Sequence, residues 1–120
     1  MKVRAFRGAT QLAADTAQEM ESAVCELLLE IFRANSIERA DLISILFTAT
    51  PDLTCEFPAK TARALDLGAV PLMCAVEIDV HGALSRVIRV MVHAHSDLSL
   101  EAVSHIYLRG AQSLRRDLAQ

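Results

Sequence analysis

Glu77 and Arg89 are charges set among apolar neighbours, and their positions ask for a chemical explanation. They lie in Val70–Val92, VPLMCAVEIDVHGALSRVIRVMV, which alternates like two β-strands around a short loop holding Gly82. In Pro71–Val80, Leu72, Cys74, Val76, Ile78 and Val80 make one apolar face; Met73, Ala75, Glu77 and Asp79 make the other. In Arg86–His95, Ile88, Val90, Val92 and Ala94 oppose Val87, Arg89, Met91 and His93. A hairpin with its loop at His81–Ser85 sets Val80 against Arg86 and Glu77 against Arg89, at Cβ separations of about 4.5–5.5 Å. Such a pair is either an ion pair on a solvated face or part of a site for a polar, anionic small molecule. Further cations stand at Arg7, Lys60, Arg63 and Arg115, and Tyr107 is the only tyrosine. Guanidinium forks, one carboxylate and one phenol suit a dianionic ligand that carries a hydroxyl.

Other chemistries are poorly provided for. His93 and His95 could reach one metal from a strand, but no third ligand stands at a natural spacing, so no metal site is expected. Cys74 falls on the apolar face of its strand, which removes it as a nucleophile for His81. There is no glycine-rich phosphate loop and no G-x-S-x-G. A net charge of −3 and the lack of a basic stripe with interleaved aromatics argue against nucleic acid. Cys25, Cys55 and Cys74 are odd in number and read as reduced thiols, which points to the cytoplasm. No apolar run approaches the roughly 18–20 residues of a membrane span, and MKVRAFRGAT has no apolar core of a signal peptide. A chain of 120 residues that is 52% hydrophobic reads as one domain, residues 1–120, with apolar surface to hide in an oligomer.

These side chains must be held by the elements around them. Val3, Ala5 and Arg7 alternate with Arg4, Phe6 and Gly8 in a short first strand ended by Arg7–Thr10, with Gly8 permitting a turn or a close backbone approach. Asp15 or Thr16 then caps a long helix, Thr16 and Glu19 fitting a capping box. Its apolar stripe is Met20, Val24, Leu27, Leu28, Ile31 and Phe32, and Asn35-Ser36 stops it. Asp41–Thr50, DLISILFTAT, is nearly continuous apolar sequence and predicts a strand covered on both faces. Pro58 begins a short helix that Gly68 ends, placing Lys60 and Arg63 on one face. Ser99 starts a helical turn, His105–Leu108 is a short last strand, and Arg109–Leu118 is helical. The fold class is therefore α+β, a single-domain mixed sheet with one long and two short helices.

Several segments, in this order and across nearly the whole chain, resemble the monofunctional chorismate mutases of the trimeric Bacillus type. They are RGAT at Arg7–Thr10, ATPDL at Ala49–Leu53, FPAK followed by Arg63, Val70-Pro71 with Cys74, and Glu77–Val80 with Gly82. Ile88–Met91, His105–Leu108 and Leu114-Arg115 complete the set. The resemblance implies a trimeric pseudo α/β-barrel with helices outside and active sites between subunits. It implies a Claisen rearrangement of chorismate to prephenate, with no cofactor. Carried over by position, Arg89 meets the ether oxygen of the breaking bond, Arg7 and Tyr107 hold a carboxylate, and Glu77 and Cys74 meet the ring hydroxyl. Phe57, Ala59 and Leu72 line the pocket, while Lys60, Arg63 and Arg115 supply positive field at its mouth. Met73 stands where a small hydroxyl residue is expected, so a contact there is lost or made by backbone alone, and Arg116 replaces a usual proline.

The inventory read from the residues fits that chemistry independently. A unimolecular pericyclic rearrangement requires no base, nucleophile or cofactor; it requires the compact conformer to be held and developing charge to be stabilised. Two alternatives remain open on the sequence alone: a non-catalytic trimeric module that binds a small carboxylate, and an enamine/imine deaminase-like trimer.

Overall fold

The computed structural model describes residues 1–114. Five strands make one sheet: β1 (Lys2–Gln11), β2 (Leu42–Ala49), β3 (Leu72–Val76), β4 (Val87–Ser96) and β5 (Ile106–Tyr107). Their order is β3-β2-β4-β1-β5. β4 runs antiparallel to both β1 and β2, while β3 is parallel to β2 and β5 parallel to β1. Helix α1 (Ala17–Asn35) and the short α2 (Pro58–Ala62) lie on one face of this mixed sheet.

The stripe expected on α1 is what packs there. Met20, Val24, Leu27, Leu28 and Ile31 are fully buried against Phe6, Ile45, Phe47, Ile88 and Val92 from the inner face of the strands. Thr16 is the N-cap, its Oγ1 accepting the Glu19 N–H at 3.1 Å. Only half of the expected capping box forms, because the Glu19 carboxylate instead accepts from the Ala13 N–H at 3.3 Å. The helix ends as expected at Asn35-Ser36, Ser36 taking the left-handed conformation of a C-cap.

Gly8 is the close approach that its position allowed. A Cβ there would stand 2.7 Å from Ile31 Cδ1 and 3.2 Å from the Ile106 carbonyl oxygen. The first strand is longer than predicted: RGAT continues it to Gln11, because all ten residues of β1 find partners on β4. Gly68 is not the helix cap, since Asp66 takes the left-handed position and Gly68 lies in the turn beyond it. Of the predicted helix Arg109–Leu118, residues Arg109–Leu114 form a 3-10 turn, and the remainder lies outside the described residues.

The hairpin is corrected outright. β3 and β4 do not pair; β2 lies between them. β3 also stops at Val76; Val76 itself, and Ile78 and Val80 beyond the strand, expected on one apolar face, are all exposed. Alternation reveals that a strand exists and how its faces divide, but it says nothing of which strand is its neighbour. A second correction concerns β2. Ile45 and Phe47 are buried beneath the helices, yet Leu46 on the opposite face is exposed, so this chain covers only one face of the strand.

Candidate active site

Glu77 and Arg89 meet in spite of the altered topology. Thr48 of β2 lies directly beside Arg89 of β4, and Ala49 beside Val76 of β3, so the two charged residues flank the end of β2 from either side. The Ala49 carbonyl accepts the Glu77 N–H at 2.9 Å, fixing that residue just past the end of β3. Glu77 Oε1 then stands 2.8 Å from Arg89 Nε and accepts a hydrogen bond from Thr48 Oγ1 at 2.6 Å. The Glu77 side chain is 15% exposed and that of Arg89 is 47% exposed. The carboxylate is thus sheltered, while the fork it holds reaches solvent.

This pair lines a cleft of about 420 Å³ on the uncovered face of the sheet, together with Arg7, Leu46, Thr48, Met91, Tyr107 and Leu114. Arg7, Glu77, Arg89 and Tyr107 come from four different segments, and the sheet brings them to one place. Tyr107 is buried against Ala9 and Ala111. Arg7 is exposed, and its backbone N–H donates to His105 Nδ1 at 3.0 Å, so the ring serves as acceptor where β5 has not yet begun. Burial, and then the Arg7 charge, push the His105 pKa below its ordinary value.

The remaining candidates lie elsewhere on the chain. Phe57 and Cys74 line a second cleft, of about 400 Å³, at the β3 edge. The Ala59 N–H donates to Cys74 Sγ at 3.3 Å, tying the first turn of α2 to β3. Arg63 and Leu72 border a third hollow, and Lys60 a fourth, where its Nζ pairs with Glu56 at 3.1 Å. Lys60 and Arg63, expected on one face from their spacing, therefore border different hollows of the chain. Phe57 and Met73 are 69% and 60% exposed. Arg115 lies outside the described residues.

Thr48, Leu46, Met91, Leu114 and His105 belong to the neighbourhood of the cleft and were not singled out by sequence. Thr48 could have been found only from the register between β2 and β4. His105 carried the weaker signal of standing two residues before the lone tyrosine. Among the described residues no cluster of three or more His, Cys, Asp or Glu side chains is placed to hold a metal ion, and no helix is long and apolar enough to cross a membrane.

Comparison with known proteins follows the same lines. The model of the family described as chorismate mutase type I matches residues 3–118. The chain is 44% identical over 117 residues to chorismate mutase AroH of Thermus thermophilus, spanning 97% of this chain and 96% of that one. It is 38% identical over 120 residues to chorismate mutase AroH of Bacillus subtilis (strain 168), spanning 99% and 94%. Among solved structures, a chorismate mutase from Clostridium thermocellum superposes with a TM-score of 0.89 at 43% identity, covering 92% of this chain and 98% of that one. Chain-long likeness in sequence and in fold, with the acidic and basic groups gathered as described, leads to one assignment: the chain belongs to the chorismate mutase type I family.

Proposed function

We propose that this chain rearranges chorismate to prephenate in the cleft around Glu77 and Arg89, as a trimer whose sites lie between copies. The observation that carries the reading is the Glu77–Arg89 pair, set in a cleft with Arg7 and Tyr107. Chorismate has two carboxylates, a ring hydroxyl and the ether bond that breaks. Arg7 and Tyr107 take a carboxylate and Glu77 accepts from the ring hydroxyl; Cys74, which lies in the cleft with Phe57, would reach that hydroxyl only from a neighbouring copy. Arg89 meets the ether oxygen. Its Nε is held by Glu77, while Nη1 and Nη2 have no hydrogen-bond partner among the described residues. As the C–O bond lengthens, negative charge grows on that oxygen and the fork is already in position, which lowers the barrier without reorganisation. No proton needs to leave the substrate, and no covalent intermediate forms.

A shared site is supported by what one chain leaves undone. Phe57, Arg63 and Leu72 do not line the cleft of their own chain, yet they fit the same substrate by type. The uncovered sheet face shows Val3, Leu46 and Met73, and Val76 at the end of β3 is exposed with Ile78 and Val80 beyond it. Apolar surface on this scale favours association. A second and a third copy would cover it and bring Phe57, Ala59, Lys60, Arg63, Leu72 and Met73 to the rim of a neighbour's cleft.

The test is direct. Purified protein, in the presence of a strong chelator, is expected to consume chorismate, followed by its ultraviolet absorbance, and to yield prephenate by NMR. Binding of chorismate without turnover would replace this reading with the carboxylate-binding module. Activity lost to the chelator and restored by a divalent metal would overturn the cofactor-free mechanism.

A further inference from the structure

Tyr107 sits on the least secure strand of the sheet. β5 is two residues long and pairs with β1 only at Gly8–Ile106 and Ala9–Tyr107. Two parallel pairings at a sheet edge are too few to fix a side chain that must contact substrate. Something else must hold the segment, and the contacts on either side of it point to α1.

Before the strand, Asn35 at the end of α1 grips Ser104. Its Nδ2 donates to the Ser104 carbonyl at 2.9 Å and its Oδ1 accepts the Ser104 N–H at 2.7 Å. After the strand, Arg109 reaches back to the first half of the same helix. Nη1 donates to Glu19 Oε1 at 2.6 Å and Nε to Glu26 Oε1 at 3.2 Å, with Ser22 Oγ near Nη2 at 3.4 Å. The three partners fall at Glu19, Ser22 and Glu26, one stripe of α1, so a single planar fork spans about two helical turns. The backbone is unusual at the same residue. Arg109 has φ of 53°, a left-handed conformation uncommon for a residue with a Cβ. The turn it makes carries the chain over β1, where Gly110 lies so close to Gln11 that an added Cβ would fall 1.6 Å from Oε1. Ala111 then packs with Tyr107 and Ala9, and Leu114 reaches the cleft.

We infer that Arg109 is a positioning residue for the reaction, its latch on Glu19 and Glu26 holding Tyr107 and the Leu114 wall of the cleft against Arg7. The inference rests on the chorismate mutase reading of that cleft. Arg109 touches no reacting atom. It acts by keeping the segment after β5 in one register along α1, so its loss should be felt where Tyr107 acts, in holding a carboxylate present in both ground and transition states. Interactions of that kind set KM more than kcat.

The experiment measures chorismate kinetics and thermal unfolding for wild type, Arg109→Ala, Tyr107→Phe and the double variant. Arg33→Ala serves as a control that removes another α1 surface ion pair, the one with Glu30. Arg109→Ala is expected to raise KM about fivefold with kcat within about twofold, and Arg33→Ala to leave both unchanged. Tyr107→Phe should cost distinctly less in the Arg109→Ala background than in wild type, because residues that act through one another are non-additive. Glu26→Gln, which removes only one arm of the latch, should raise KM by a smaller factor and keeps the test alive if Arg109→Ala fails to fold. Additive effects, or a lowered Tm with KM unchanged, would reduce Arg109 to a stability anchor and overturn the inference. Failure of the wild-type protein to turn over chorismate would instead remove the functional reading beneath it, so the two failures are distinguishable.

Discussion

Arg89 and His105 carry the sharpest consequences at the scale of single residues. If the Arg89 fork acts on charge that appears only as the ether bond breaks, Arg89→Ala should lower kcat by about 10²–10³, near 3–4 kcal/mol, with little change in KM. Arg89→Lys should also be poor, since a point charge cannot hold Glu77 and present a planar fork at once. Steady-state kinetics of both variants check this, and a change confined to KM would make Arg89 an anchor. His105 makes a prediction about pH. Its pKa is depressed by burial and by Arg7, and as an acceptor from the Arg7 N–H it is neutral in the native state. Between the depressed folded value and the ordinary value near 6.5, the unfolded chain binds the proton more readily than the folded one. This contribution to stability is therefore fully present above about pH 6.5 and is lost as pH falls through that window. Urea unfolding at a series of pH values should show the decline, and His105→Gln, which keeps an acceptor but does not titrate there, should flatten it.

At the scale of elements, much was legible because it is local. The α1 stripe, its Thr16 cap and its Asn35-Ser36 stop all depend on residues within a few positions of each other, and all appear where the pattern puts them. What failed was partner choice. Pro71–Val80 and Arg86–His95 read as a hairpin because they are strand-like neighbours in sequence, yet β2 takes the place between them. Glu77 and Arg89 still meet, since one lies just past the end of β3 and the other near the start of β4, the two strands that flank β2, so proximity was inferred correctly from an incorrect pairing. The Arg109 latch was invisible for a related reason: Glu19 and Glu26 lie most of the chain away, and nothing near Arg109 announces them. Gly8 gives this scale its own prediction. Gly8→Ala should destabilise by about 1–3 kcal/mol through overpacking against Ile31 and the Ile106 carbonyl. Chemical denaturation checks it; an unchanged midpoint would mean that α1 and β5 yield at no cost.

The whole molecule enters through the uncovered sheet face. A near-continuous apolar β2 predicted burial on both sides, and one chain provides cover for only one. The sequence shows the demand for a second cover without saying what supplies it. Under the shared-site proposal, Phe57 and Arg63 serve one side of each cleft and Arg7, Glu77, Arg89 and Tyr107 the other. Arg89→Ala and a Phe57→Asp/Arg63→Glu double variant should each be inactive. Unfolded and refolded together, they should regain part of the activity, because some interfaces then carry two wild-type faces. Sedimentation must show mixed trimers; well-formed mixed trimers that remain silent would place the whole site within one chain.

The strand order also dictates when this sheet can come into being. Among the described residues β4 is the only strand that contacts both β1 and β2, and it is made of residues 87–96. Until it has been synthesised, β1 has no partner strand among the described residues, for its other neighbour in the sheet, β5, comes later still. The first strand must therefore wait, unpaired, while most of the chain emerges, and folding is governed by a late, long-range closure. Refolding of the full chain should be slow for its size. In native-state hydrogen exchange the amides of Val90 and Val92, at the centre of that closure, should be among the last to open, while Ile106 and Tyr107 exchange early.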